Sequence, residues 1–200
     1  MTEVKALMMD VDGVLVTRLR PGWRWDADLE ADLGIRPEDL QQGFFSRYFQ
    51  PIVLGREPLE PWLAKALAEI APHVTAQQMM AYWFEKDAVL DHQLLADLEA
   101  YRARGLQLHL ATVQEHNRAN HLWENLGFKH RFDGLHHSAA VGFAKPDPQY
   151  YAETRRRVGL PPETLLLVDD SERNVEAARA AGWQARHWTG ERRLAEVLGF

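Results

Sequence analysis

Two kinds of apolar pattern alternate along this chain. Short uninterrupted runs end abruptly in polar residues. Residues 4–9 stop at Asp10, residues 106–111 stop at Thr112, and residues 164–168 stop at Asp169 and Asp170. Residues 184–188 form a weaker fourth run. Such runs suit strands buried on both faces of a parallel sheet. Between them the apolar residues take helical spacing. Leu94, Leu95, Leu98 and Tyr101 share a face and stop at Gly105. Residues 116–126 are closed by Gly127, and Val175, Ala178 and Ala181 precede Gly182. Glycine just past a last turn is a common helix stop. Pro146 and Pro148 open a further helix that runs to Val158, because proline is tolerated in a first turn.

The stretch 18–89 reads differently. LEADLGI, PEDLQQGFFSRYF, EPWLAKALAEI and TAQQMMAYWFEK are each helix-like, and no strand pattern interrupts them. The segment lies between the first and second strand runs. It is expected to be a helical cap inserted into a discontinuous α/β core made of residues 1–17 and 90–200.

Composition narrows the classes. Hydrophobic residues make up 46% of the 200, enough for a packed core. The formal net charge is −6 with no basic stripe, which argues against nucleic acid as the main partner. The chain has no cysteine, which removes disulfides, thiolate metal sites and a cysteine nucleophile, and suits a reducing cytoplasm. The N-terminal apolar segment is short and broken by acids, so neither a secretory signal nor a membrane span is expected.

The chemistry collects at strand ends, where open α/β sheets bind ligands. Asp10 and Asp12 follow the first run, Thr112 ends the second, Lys145 lies in GFAKPDP, and Asp169 and Asp170 follow a later run ahead of Ser171 and Asn174. Four carboxylates in one place call for a hard divalent cation with oxygen ligands, Mg²⁺ above all. Lys145 and Thr112 would meet a phosphate. Asp10 can attack phosphorus, while Asp12 can protonate the leaving alkoxide and then deprotonate the attacking water.

DVDGV, the strand-end Thr112, KPDP and the pair Asp169-Asp170 occur in the order of the haloacid dehalogenase-like hydrolase superfamily, which the chain resembles from Val4 to about Gly190. The resemblance implies a Rossmann-like three-layer α/β core with a parallel sheet and, after the first strand, a helical cap. It implies Asp10 as nucleophile, Asp12 as acid/base, and Thr112 and Lys145 on the phosphate. The metal site would comprise Asp10, Asp12 through its backbone carbonyl, and Asp170, with Asp169 as ligand or supporting partner. LGFKHRFDGLHHSAAVGFAKPDPQYY is similar to subgroups of sugar-phosphate phosphatases. The implied activity is a Mg²⁺-dependent phosphatase of a small phosphorylated metabolite. Asp12 favours phosphoryl transfer over haloacid dehalogenation, whose enzymes lack that acid. The alternatives are a phosphomutase, a haloacid dehalogenase, a phospho-Asp switch and a silent binding module. Two positions depart from the pattern: Val113 stands where asparagine is frequent, and LVTRL follows the first motif without the acid many members carry.

Other features carry plainer expectations. Trp23, Trp25, Trp62 and Trp83 are expected to pack among cap helices, with stacking on substrate as the alternative. Arg47 and Arg56 are expected as solvated charges, His136 and His137 as strand and loop residues, His109 as a core histidine, and residues 155–157 as a solvated helix face.

Overall fold

The computed structural model describes residues 3–16 and 24–199. Trp23 and the expected start of the cap at residue 18 lie outside them. The four apolar runs and one further segment form parallel strands: β1 (Ala6–Met9), β2 (Gln107–Thr112), β3 (Gly134–His137), β4 (Leu165–Asp169) and β5 (Gln184–His187). Their order is β3-β2-β1-β4-β5. β1 is central, and all four of its residues are buried. Alternate residues serve opposite layers, as strand geometry dictates. Leu7 and Met9 join a cluster with Leu94, Leu98 and Val197, which belongs to α6 (His92–Ala103) and α11 (Leu194–Leu198). Ala6 and Met8 join Tyr150, Tyr151, Val175 and Ala178, from α9 (Pro148–Val158) and α10 (Glu172–Ala180). The architecture is a five-stranded, all-parallel, three-layer α/β sandwich.

The strand β3 is absent from the apolar pattern because GLHH is half-polar and lies at a sheet edge. His136 and His137 both belong to it, so neither is a loop residue. His136 Nε2 lies 3.2 Å from His109 Nδ1, and His137 Nε2 lies 3.2 Å from His116 Nδ1. Burial pushes His136 and His137 down to about 4, so both stay neutral. The helix expected over 116–126 forms as α7 (His116–Asn120) and continues as a wider π-helical turn over His121–Asn125.

The inserted helices are α1 (Leu29–Leu33), α2 (Pro37–Leu40), α3 (Ser46–Val53), α4 (Leu59–Ile70) and α5 (Ala76–Lys86). They bury their own cluster, including Leu40, Phe44, Leu63, Leu67, Met79 and Trp83. Thr75 and Gln78 cap the start of α5 reciprocally. Among the described residues no helix is long and apolar enough to cross a membrane.

Two contacts seat the helical layer on the core. Ser138, which opens α8 (Ser138–Val141), places its hydroxyl 2.7 Å from the Val53 carbonyl. Gly55 sits beside it at φ +70°, where an added Cβ would lie 2.2 Å from the Ala139 carbonyl oxygen. At the other edge the core's Arg118, 1% exposed, reaches the end of α5. Its guanidinium donates to the carbonyls of Phe84, at 3.1 Å, and Asp87, and lies 3.3 Å from the Asp87 carboxylate. It thereby satisfies carbonyls that the last turn of a helix leaves unpaired.

Gly55→Ala is expected to lower the melting temperature more than Gly159→Ala. Both adopt positive φ, which costs a side chain roughly 1–2 kcal/mol, but only Gly55 would also collide with backbone. Equal losses in thermal unfolding would contradict that seat. Burial and the neighbouring Asp12, opposed by Arg118, raise Asp87 from 3.8 to about 6. Its contribution to stability is therefore present while it is protonated and is lost as pH rises through about 6. In chelator-treated protein, Asp87→Asn should flatten the pH dependence of thermal stability between these values, and an unaltered slope would count against it.

Candidate active site

The sheet register brings distant pieces of chain to one point. Met9 pairs with Leu110 on one side and Val168 on the other. The residues that follow, Asp10, Thr112 and Asp169, therefore emerge together at the strands' carboxyl ends. Asp10 stays in line by donating its N–H to the Val168 carbonyl at 3.0 Å. Lys145, just ahead of α9, inserts its ammonium between two of the acids, 3.0 Å from Asp10 Oδ1 and 2.5 Å from Asp169 Oδ2. All three side chains are buried. Asp169 Oδ1 accepts the Ser171 N–H and the Asn174 amide, each at 2.9 Å. Its carboxylate thus organises the start of α10, which Ser171 enters without capping through its own side chain.

Electrostatics follow from this enclosure. Desolvation is the largest influence on Asp10. With repulsion from Asp169 and Asp12 it outweighs Lys145 and pushes Asp10 up to about 7 in the absence of a cation. For Lys145, burial pulls the pKa down, but attraction to Asp10 and Asp169 more than offsets it, so the ammonium is held charged. A cation supplied beside Asp10 would favour its ionised form.

Asp12 stands apart from this knot, with 51% of its side chain exposed toward the cleft. Gln114 donates to its Oδ2 at 2.6 Å, and the Arg118 guanidinium lies 3.9 Å from its Oδ1. The cleft walls still enclose it enough for desolvation to raise its pKa against the pull of Arg118 and Gln114. Gly13, at φ +80°, carries the chain past Asp170 so closely that an added Cβ would lie 2.2 Å from Asp170 Oδ2. Thr112 Oγ1 is buried and has no hydrogen-bond partner among the described residues.

These side chains face a cleft of about 910 Å³, walled on the cap side by Trp25, Gln41, Phe45, Phe49 and Trp83. Asp10, Asp12, Thr112, Val113, Lys145 and Asp170 form its floor. Among the described residues one group can hold a metal ion: Asp10, Asp169 and Asp170 each offer a carboxylate oxygen, all within 4.8 Å of one another. An all-oxygen, all-carboxylate donor set suits a hard divalent cation. Asp12 contributes no side-chain oxygen to that group.

The tryptophans and arginines of the inserted segment divide between cleft and surface. Trp25 and Trp83 do not merely pack inside the cap, since both line the cleft. Trp62 stacks on Tyr48 instead, with centroids 5.0 Å apart. Arg47 pairs with Glu69 at 3.0 Å, and neither it nor Arg56 lines the cleft. Gln114, Arg118 and Asp87 escaped the sequence reading. Gln114 lies two residues past Thr112, a spacing that offered a clue, but no local pattern marks a buried arginine four residues further on.

Hexitol phosphatase B of Escherichia coli (strain K12) is 24% identical to this chain over 183 residues, covering 90% of the chain and 81% of that protein. Glyceraldehyde 3-phosphate phosphatase of Methanopyrus kandleri is 28% identical over 195 residues, with the same coverage. A HAD family enzyme of Bacteroides thetaiotaomicron, solved in a magnesium complex, superposes with a TM-score of 0.82 at 18% identity, covering 98% of this chain and 99% of that one. The same enzyme has been solved with magnesium and inorganic phosphate. At that identity the likeness speaks for the fold. Residues 4–182 match the haloacid dehalogenase-like hydrolase family, and the chain belongs to that family.

Proposed function

We propose that this protein is a Mg²⁺-dependent phosphatase that hydrolyses a small phosphorylated metabolite, such as a sugar phosphate, through an aspartyl-phosphate on Asp10. The observation that carries the reading is the buried Thr112 hydroxyl, which has no hydrogen-bond partner among the described residues and lines the cleft floor together with Lys145 and Asp10. A donor without a protein acceptor there has its use when a phosphate oxygen arrives. The named activities of the Escherichia coli and Methanopyrus kandleri relatives, both phosphatases of small hydroxylated carbon compounds, agree with it.

In this reading Asp10 and Asp170 hold Mg²⁺, joined by the Asp12 backbone carbonyl. Asp169, already engaged by Lys145, Ser171 and Asn174, chiefly supports them. When bound, the ion offsets the charge that carboxylates and phosphate bring together. An Asp10 oxygen attacks phosphorus as the bond from phosphorus to the leaving oxygen breaks. Asp12 gives its proton to that oxygen, which departs as an alcohol. A water then attacks the same phosphorus and yields its proton to Asp12. The bond from phosphorus to Asp10 breaks, inorganic phosphate leaves, and both carboxyl groups return to their starting state. Thr112 and Lys145 hold the phosphoryl oxygens, and Gln114 and Arg118 hold Asp12 in place.

Wild-type protein should release phosphate from p-nitrophenyl phosphate with Mg²⁺ and lose that activity with chelator. Asp10→Asn should reduce it roughly a thousandfold or more. An inactive wild type, or activity surviving in Asp10→Asn, would sink the reading. The acid role of Asp12 has its own signature in kcat/KM, since a good leaving group needs no proton. Asp12→Asn should cost an alkyl phosphate roughly 10²–10⁴-fold and 2,4-dinitrophenyl phosphate far less. Arg118→Lys should show the same bias more weakly. Equal losses on both esters would reduce these residues to a structural role.

A further inference from the structure

The cap wall of the cleft is an aromatic cluster. Trp25 stacks on Trp83 with centroids 5.7 Å apart and planes at 28°. Phe45 meets Trp83 edge-on at 5.3 Å, and Phe49 meets it at 6.0 Å. Trp25, Phe45 and Phe49 pack against the cap's core, yet each is only half-buried, and each lines the cleft opposite the catalytic acids. The cleft, at about 910 Å³, lies at the upper end of the range for small-molecule sites and far exceeds a phosphate group.

Among the described residues the same wall offers little unengaged positive charge. Among the described lining residues the cations are Lys145 and Arg24. Lys145 belongs to the floor. Arg24 is held by both oxygens of Asp26, at 2.8 and 2.6 Å. The Arg24–Asp26 pair adds no net charge on the cap side, and Asp87 adds a carboxylate there. Arg47 and Arg56, the cations that the sequence offered for a substrate's far end, are elsewhere. A second anion on the substrate would therefore meet acids and rings and find no unengaged cation among the described residues. Desolvating a charge without a partner is costly. An uncharged ring would instead cover partly exposed aromatic faces, with the Gln41 amide oxygen placed to accept from a hydroxyl while its nitrogen donates to Ser46.

We propose that this wall selects phosphate monoesters whose leaving alcohol carries an uncharged ring, aryl or pyranose, and rejects those bearing a second anion. The proposal deepens the phosphatase reading and rests on it for the ester itself.

The test compares kcat/KM with Mg²⁺ for benzyl phosphate, glucose 6-phosphate, glycerol phosphate, phosphoglycolate and fructose 1,6-bisphosphate. At least one ring ester should exceed both compounds that carry a second anionic group by tenfold or more, and whichever leads identifies the ring as aryl or sugar. Trp25→Leu and Phe49→Leu, judged folded by circular dichroism, should narrow the preference of ring over glycerol phosphate about three- to tenfold. Binding supplies a readout independent of turnover: benzylphosphonate should quench tryptophan fluorescence at lower concentration than phosphonoacetate in wild type, and lose that advantage in Trp25→Leu. Hydrolysis that favours phosphoglycolate or the bisphosphate, or tighter binding of phosphonoacetate, overturns the wall and leaves the phosphatase reading standing. Preferential, Trp25-dependent binding of benzylphosphonate without hydrolysis of any ester supports the wall and overturns the phosphatase reading.

Discussion

Lys145 places an ammonium in a region almost closed to water, 3.0 Å from Asp10 and 2.5 Å from Asp169. Each of these charges alone would be expensive to bury, and removing one member of a buried pair typically costs about 3–5 kcal/mol. The arrangement holds because the sheet fixes both carboxylates before any ligand arrives. β1 and β4 are neighbours in register, so Asp10 and Asp169 emerge side by side, and the loop ahead of α9 brings the compensating charge across them. Residues separated by more than a hundred positions thus become one electrostatic unit. The third acid, Asp170, stays at the open side of that unit, above Gly13, where a cation could reach it from the cleft.

Asp12 is governed by a different set of contacts, and the separation suits two acids with different tasks. Asp10 is locked by backbone and by Lys145. Asp12 is half exposed and is steadied by Gln114 and, at longer range, by Arg118. Arg118 also grips the carbonyls at the end of α5. One guanidinium therefore links the cap's last helix to the proposed proton donor. A shift of the cap would be felt first at Asp12 and least at Asp10, which shares no contact with that arginine. This is a physical route by which closure over a substrate could align the acid without disturbing the nucleophile.

Much of this was legible in the chain. Strands buried on both faces announce themselves as apolar runs, and β1, β2 and β4 were readable for that reason. The acids and the threonine at their ends followed, because parallel α/β sheets gather function there. The edge strand β3 was not readable, since GLHH offers neither an apolar run nor alternation, and its place comes from pairing with β2. Arg118 and Gln114 were missed for a related reason. Their roles depend on partners far off in the chain: the end of α5, about thirty residues away, for Arg118, and Asp12, about a hundred residues away, for Gln114. The tryptophans show the same limit in reverse: spacing could place Trp83 on a helix but could not tell a core face from a cleft face.

The chain's net charge of −6 sharpens the electrostatic problem for a phosphate-binding cleft. Net charge of that sign does not attract an anionic substrate from a distance, and the cleft adds Asp87 to the acids of its floor. Among the described lining residues Lys145 is the cation of the floor, where a bound metal ion would join it, and Arg24 on the cap side is engaged by Asp26. A phosphate group gains only by reaching the floor, while a second anion held further out gains nothing from it. The aromatic wall supplies what the charge distribution withholds, a favourable surface for the uncharged remainder of the molecule. Under the proposed reading, selectivity in such a cleft would arise from spatial separation, with the floor reading the phosphate and the wall reading what the phosphate is attached to.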